Sequence, residues 1–181
     1  MITHDVDTNI ELNGNTTYAF ISSVLHDDYA HILEANDLAE IDREAWYPLQ
    51  NILTVLHEIA NMRGAMLTLV SIGIAAADNA ELPAEVAKLS PGQFLKLYEQ
   101  LYPARHRNGS PGKVLVELVS NTQARITLTA DVPYPDDVMY GVFYGYMRRF
   151  APHDFVVAYD EKTSRRDLGG SDTIINVSWE S

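Results

Sequence analysis

The sequence predicts an α+β fold, with N-terminal helices packed on an antiparallel sheet and β-β-α-β-β order in the C-terminal half. Three observations carry this. Helical spacing of apolar residues dominates up to residue 102. Strand-like runs rich in β-branched residues dominate after it. One aromatic-rich helix, residues 134–150, divides those runs into two pairs.

The elements follow in order. Residues 1–16 are polar and read as an arm or a short edge strand. Residues 19–35 form a helix candidate through Phe20, Val24, Ala30, Ile32 and Leu33. Residues 49–62 form a stronger one: Leu49, Ile52, Leu53, Leu56 and Ile59 share a face, and Pro48 marks the start. Residues 63–79 are apolar nearly all round and read as a central helix, continuous with the last or kinked near Gly64. Ser90 caps a helix over residues 91–102, with Pro91 at its first position. Residues 103–112 are a turn-rich loop holding Arg105, His106 and Arg107. Strands are expected over residues 114–119, 124–130, 154–159 and 173–179. In the second, Ile126, Leu128 and Ala130 alternate with Arg125, Thr127 and Thr129. Gly169 and Gly170 mark the turn of the last hairpin.

The helix over residues 134–150 is marked at both ends. Pro135 suits a first helical position, Asp136 and Asp137 face the positive end of the dipole, and Arg148 and Arg149 face the negative end. Met139, Phe143, Tyr146, Met147 and Phe150 make a bulky stripe. Val138, Gly141, Val142 and Gly145 make a small one, where another backbone can approach. A helix apolar on two faces is expected to lie between a sheet and other helices.

Composition narrows the function. The 181 residues, 46% apolar and 21% charged, suit one domain, 1–181. The net charge is −12, and the first 100 residues hold 15 of the 25 acids but only 4 of the 13 Lys and Arg. Such a field argues against nucleic acid and anionic membrane as partners. Without cysteine there is no disulfide, thiol chemistry or Cys-ligated metal. The longest apolar run, residues 66–77, is too short for membrane insertion, and a cytoplasmic location is expected.

Candidate site residues fall in three groups. Of the six histidines, His4, His26, His31, His106 and His153 form no metal-binding pair, while His57 sits beside an apolar helical stripe. Metal sites and cofactors are therefore expected to be none. The second group is arginine: Arg105/Arg107, Arg148/Arg149 and Arg165/Arg166 hold six of the 13 Lys and Arg. If they converge, Arg105, Arg107, Arg149 and Arg165 would bind an anion; the simpler reading is that they answer the helix dipole and nearby acids. The third is aromatic. Tyr98, Tyr102, Tyr134, Tyr140, Tyr144 and Tyr146, with Phe143 and Phe150, line either a pocket or a core. The ligand-binding set expected here is His57, Tyr140, Phe143, Tyr144 and Met147. No GxSxG, phosphate loop, GxGxxG or paired-carboxylate motif is present, so no catalytic residue is assigned.

Several motifs together resemble one superfamily. They are Trp46-Tyr47-Pro48 before a helix, the Tyr102 to Gly109 stretch with its Arg-His-Arg, the Tyr-Pro…Gly…Gly…Phe run from Tyr134 to Phe150, and a closing hairpin ending in Val177-Ser178-Trp179. The pattern is similar to the ligand-binding domain shared by 4-vinyl-reductase-type sensory domains, heme nitric-oxide-binding domains and TRAPP vesicle-tethering subunits. The resemblance spans residues 17–179. It implies a helical half on an antiparallel sheet, frequent dimerisation, and a small apolar ligand among the helices. Two departures stand out. The zinc-binding cysteines of the sensory domains are missing from residues 161–173. The Tyr-x-Ser-x-Arg signature that grips heme propionates is replaced by Leu128, Ala130 and Val132.

The expected role is a non-catalytic small-molecule-binding or sensory domain for an apolar ligand, held between helix 49–77 and helix 138–150. A homodimer and a signalling partner are expected with it. The alternatives are an interaction module without ligand, a heme or tetrapyrrole binder, and an enzyme using residues 105–107. A ligand binder should hold an internal cavity; an interaction module should have a filled core and an exposed apolar patch.

Overall fold

The computed structural model of the chain describes residues 9–22, 24, 29–62, 65–151 and 153–180. A short strand, β1 (Glu11–Asn13), runs into α1 (Gly14–Ile21), followed by α2 (Ala30–Ala35). Next come β2 (Trp46–Pro48), α3 (Leu49–Ala60), α4 (Ala65–Asp78) and α5 (Pro91–Ala104). The second half holds β3 (His106–Arg107), β4 (Val114–Ser120), β5 (Gln123–Leu128), α6 (Asp136–Phe150), β6 (Phe155–Tyr159) and β7 (Thr173–Trp179). The α+β reading and the β-β-α-β-β order of the second half match this architecture.

Two antiparallel sheets form. The larger has the order β4-β5-β7-β6; the smaller is β2-β1-β3. On the larger sheet Val116, Ile126 and Ile175 align across three strands and are buried, while Glu117, Arg125 and Asn176 align one residue on, facing out. That is the period of two expected of a half-covered sheet. Both edges are occupied by side chains. On β4, the Val116 N–H donates to Glu99 Oε1 at 2.6 Å and the Val116 carbonyl accepts from Lys96 Nζ at 2.8 Å. On β6, the Val157 carbonyl accepts from the Tyr140 hydroxyl at 2.8 Å.

Several expectations are corrected in detail. The helix expected over residues 19–35 is two helices. Asn13 caps α1 by accepting from Thr16 N at 2.8 Å, so the helix starts at Gly14 and ends by Ile21. His26 lies outside the described residues, as does the arm before Asn9. The end of the polar arm is not an edge strand: β1 is the middle strand of the small sheet. Trp46-Tyr47-Pro48 and His106-Arg107, read as a helix start and a loop, are its outer strands. Strands of three and two residues such as these are too short for an alternation to show. Ala130 lies past the end of β5 and is exposed.

Other local readings match. Ser90 and Gln93 form a capping box, with Gln93 Oε1 accepting from Ser90 N at 3.0 Å. The small stripe of α6 does receive another backbone. A Cβ on Gly141 would strike the Val70 carbonyl, and one on Gly145 would sit 2.7 Å from the Cβ of Ala77. Gly73 answers from the α4 side, against Val138 and Gly141. The bulky stripe meets α5: Phe150 stacks on Phe94 with centroids 3.9 Å apart, and Phe143 meets Tyr98 edge-on at 5.2 Å. On its third side Tyr140 and Tyr144 pack against Tyr159 and Phe155 of β6. Helix α6 is thus enclosed by two helices and a sheet.

One buried ion pair locks the start of α6. Asp136 and Arg166 are 3% and 4% exposed. Arg166 Nε donates to Asp136 Oδ1 at 2.9 Å, and Nη2 donates to the same carboxylate. The remaining donors reach the carbonyls of Thr129, Val132 and Tyr134 at 3.0, 2.6 and 3.1 Å. Asp136 Oδ2 accepts from the Thr173 hydroxyl at 2.6 Å. A buried charge is tolerated only when its bonding is complete, and here every guanidinium donor is used. The pair joins the β5–α6 loop, α6 and the closing hairpin.

Candidate functional site

A cavity of about 20 Å³ lies where α1, α4, α5 and α6 meet. Thr16 and Phe20 reach it from α1, and Ala76 from α4. Helix α5 contributes Tyr98 and Tyr102, and its C-cap Arg105. Tyr134 closes one side, and Met139, Val142 and Tyr146 enter from a single stripe of α6. Holding one water takes roughly 10–15 Å³, so the space suits a water or a group of comparable size.

The polar atoms around it fall into two sets. One set is engaged. The Tyr102 hydroxyl donates to the Pro111 carbonyl at 2.6 Å. His106 Nδ1 lies 2.9 Å from the Tyr102 carbonyl, which only accepts; that nitrogen therefore carries the proton. Nε2 must then accept from the Tyr134 hydroxyl, 2.8 Å away. The imidazole is neutral: burial lowers its pKa to about 4, the Tyr102 carbonyl opposes this, and the nearby Arg105 charge adds to it. Burial also raises the phenols of Tyr98, Tyr102 and Tyr134, so all three stay protonated.

The other set is not engaged. The hydroxyls of Tyr98 and Tyr146 make no hydrogen bond, although these side chains are 6% and 2% exposed. Neither hydroxyl is sealed in by protein atoms, and both side chains line the cavity. Arg105 makes a single side-chain hydrogen bond, Nη1 to Thr16 Oγ1 at 3.4 Å, and no described carboxylate pairs with it.

The residues expected from sequence are scattered by the fold. Phe143 and Met147 are buried against the core, Tyr140 and Tyr144 face the sheet, and His57 is half-buried on α3; none borders the cavity. The helical register explains it: Met139, Val142 and Tyr146 straddle the two stripes of α6. Of the aromatic set, Tyr98, Tyr102, Tyr134 and Tyr146 do come together. The arginines do not converge. Arg107 pairs with Glu11 and lies over Trp46. Arg149 donates to the carbonyls of Ala77 and Ala80. Arg165 pairs with Asp137 and Asp167 at 3.1 and 2.6 Å. Only Arg105 of that group reaches the cavity. Arg148, expected to answer the helix dipole, pairs with Asp78.

No family of known proteins matches the sequence, and no curated protein does. Solved structures do match the fold. An oxygen-binding H-NOX domain related to soluble guanylate cyclases, in its oxygen complex, superposes with a TM-score of 0.69 at 13% identity, covering 94% of this chain and 96% of that one. A variant of the T. tengcongensis H-NOX gives 0.68 at 14%, covering 94% and 98%. A structure describing H-NOX activation gives 0.67 at 12%, covering 92% and 94%. The chain therefore has the H-NOX fold.

Heme, which one such structure names in its account of redox potential, does not fit this interior. A space of about 20 Å³, near that of one water, is far less than a porphyrin needs. Phe20 stacks on Tyr134 at 5.4 Å and fills the junction. Among the described histidines, both ring nitrogens of His106 are engaged, His31 and His153 are exposed, and His57 is away from the cavity. No group of three or more metal-ligating side chains occurs among the described residues, and none of their helices is long and apolar enough to cross a membrane.

Proposed function

We propose that the chain is a non-catalytic sensory module that binds a small molecule at the junction of α1, α4, α5 and α6. The observation that carries this is that two buried side chains with unbonded hydroxyls, Tyr98 and Tyr146, line one cavity. Each hydroxyl keeps a proton and lone pairs that no protein group uses, so an occupant of the cavity has groups to bond. The H-NOX fold supports a sensory role, since one of its members is described as oxygen-binding. Binding would tighten α1 and α4 against α5 and α6 and pass to a partner or second copy only if the ligand favours one arrangement over another. The ligand is small; a tetrapyrrole is not part of the reading.

A second reading, an interaction module without ligand, is favoured by the aromatic packing of Phe94, Tyr98, Phe143 and Phe150 and by the exposed Leu115, Leu118 and Val119 of β4. Native mass spectrometry of protein purified from its own host, with an absorption spectrum, separates the two. A bound small mass without visible absorption supports sensing. A clean apo mass with stable self-association supports the interaction module. A Soret band would overturn both.

A further inference from the structure

We infer that the cavity is built for a small monocarboxylate, of acetate size, with its carboxylate on Arg105. This rests on the small-molecule reading above and names the ligand class. Arg105 is the cation at the site, and its only side-chain bond is the long one to Thr16. Arg166 is satisfied by Asp136 and three carbonyls, and Arg149 donates to two carbonyls. A guanidinium offers five donors in a planar fork that matches a carboxylate. The structure leaves most of that fork free at a half-buried position beside a cavity.

The surrounding groups complete the complement. The hydroxyls of Tyr98 and Tyr146 are donors with no acceptor. Tyr102 and Tyr134 have committed their protons to Pro111 and His106 and offer no competing charge. No described carboxylate pairs with Arg105 to repel an anion there. Phe20, Ala76, Met139 and Val142 line the same cavity with apolar surface suited to a methyl group. The space, about 20 Å³, takes a group of about water size and so limits the tail to a single methyl. A polar head and an apolar wall together select a short carboxylate over inorganic anions, which would leave the wall against charged oxygen.

The test is an NMR titration of the intact protein at fixed pH and ionic strength, following the ring signals of Tyr98 and Tyr146. The probes are sodium acetate, chloride as salt control, and the neutral analogues acetamide and ethanol. Saturable acetate shifts are expected, weakened tenfold or more with acetamide and in Arg105→Gln, and partly restored in Arg105→Lys. Thermal unfolding of each variant checks that it folds; Tyr98→Phe, should Arg105→Gln fail to fold, is expected to weaken acetate several-fold. If ethanol or acetamide saturates the site as well as acetate, the carboxylate assignment is overturned while small-molecule binding stands. If no probe shifts these rings, both are overturned, and the cavity holds water alone.

Discussion

Replacing Arg166 by Met tests whether the start of α6 is held by a buried charge pair. The substitution keeps the bulk of the side chain but strands the Asp136 carboxylate at 3% exposure. It also removes the donors to the Thr129, Val132 and Tyr134 carbonyls. Removing one partner of a buried pair costs about 3–5 kcal/mol, because the remaining charge is uncompensated. In a chain of this length each kcal/mol lowers Tm by roughly 2–4 °C, so a fall of roughly 6–20 °C is expected. Arg166→Lys should recover only part of it, since an ammonium cannot reach a carboxylate and three carbonyls in the planar pattern seen here. The Asp136→Asn/Arg166→Met double variant should lose less than the two single losses added together, because neither charge is then left alone. Urea and thermal unfolding by circular dichroism measure the unsubstituted chain, Arg166→Met, Arg166→Lys, Asp136→Asn and the double variant. A loss below about 1 kcal/mol for Arg166→Met, or strict additivity in the cycle, would refute the account of the pair as a lock.

Three further outcomes follow from the same structure. His106 titrates at about 4 when folded against about 6.5 unfolded, so its contribution is complete above pH 6.5 and is lost as pH falls toward 4; it amounts to about 3 kcal/mol. Urea midpoints measured across that range should slope upward with pH, and His106→Gln should remove that part of the slope. Gly141→Ala places a methyl group against the Val70 carbonyl and within 3.0 Å of Gly73 Cα, and overpacking of this kind costs about 1–3 kcal/mol; an unchanged Tm would contradict the close α4–α6 contact. Hemin added to the purified protein should give no saturable Soret shift, and a stoichiometric one would show that the aromatic junction opens.

Much of the fold was legible because it is written locally. Ser90 and Gln93 stand three residues apart, and a capping box needs nothing else. The two stripes of α6 are a matter of 3.6-residue spacing, and each found a partner of the expected size. The site was less legible because it is assembled across the chain. Arg166 and Asp136 are 30 positions apart, and nothing near either residue says that Arg166 is buried while its neighbour Arg165 is half-exposed. Arg105 and Arg107 look alike in sequence, yet Arg107 lies over Trp46 at the surface and Arg105 borders the cavity. The cavity residues of α6 straddle the two stripes, Met139 and Tyr146 from the bulky one and Val142 from the small one, so neither stripe taken alone marks the cavity. The one available signal was the tyrosine density of the second half, and it marked the right neighbourhood.

The side chains seated along β4 and β6 bear on how this protein can meet another. Glu99 and Lys96 occupy the outward backbone groups of Val116, and Tyr140 occupies that of Val157. A strand arriving at either flank of the larger sheet would have to evict an ion-paired couple or a phenol at its centre, so extension of that sheet is opposed there. A partner at either flank must therefore match the shape and charge of these side chains and cannot rely on main chain alone.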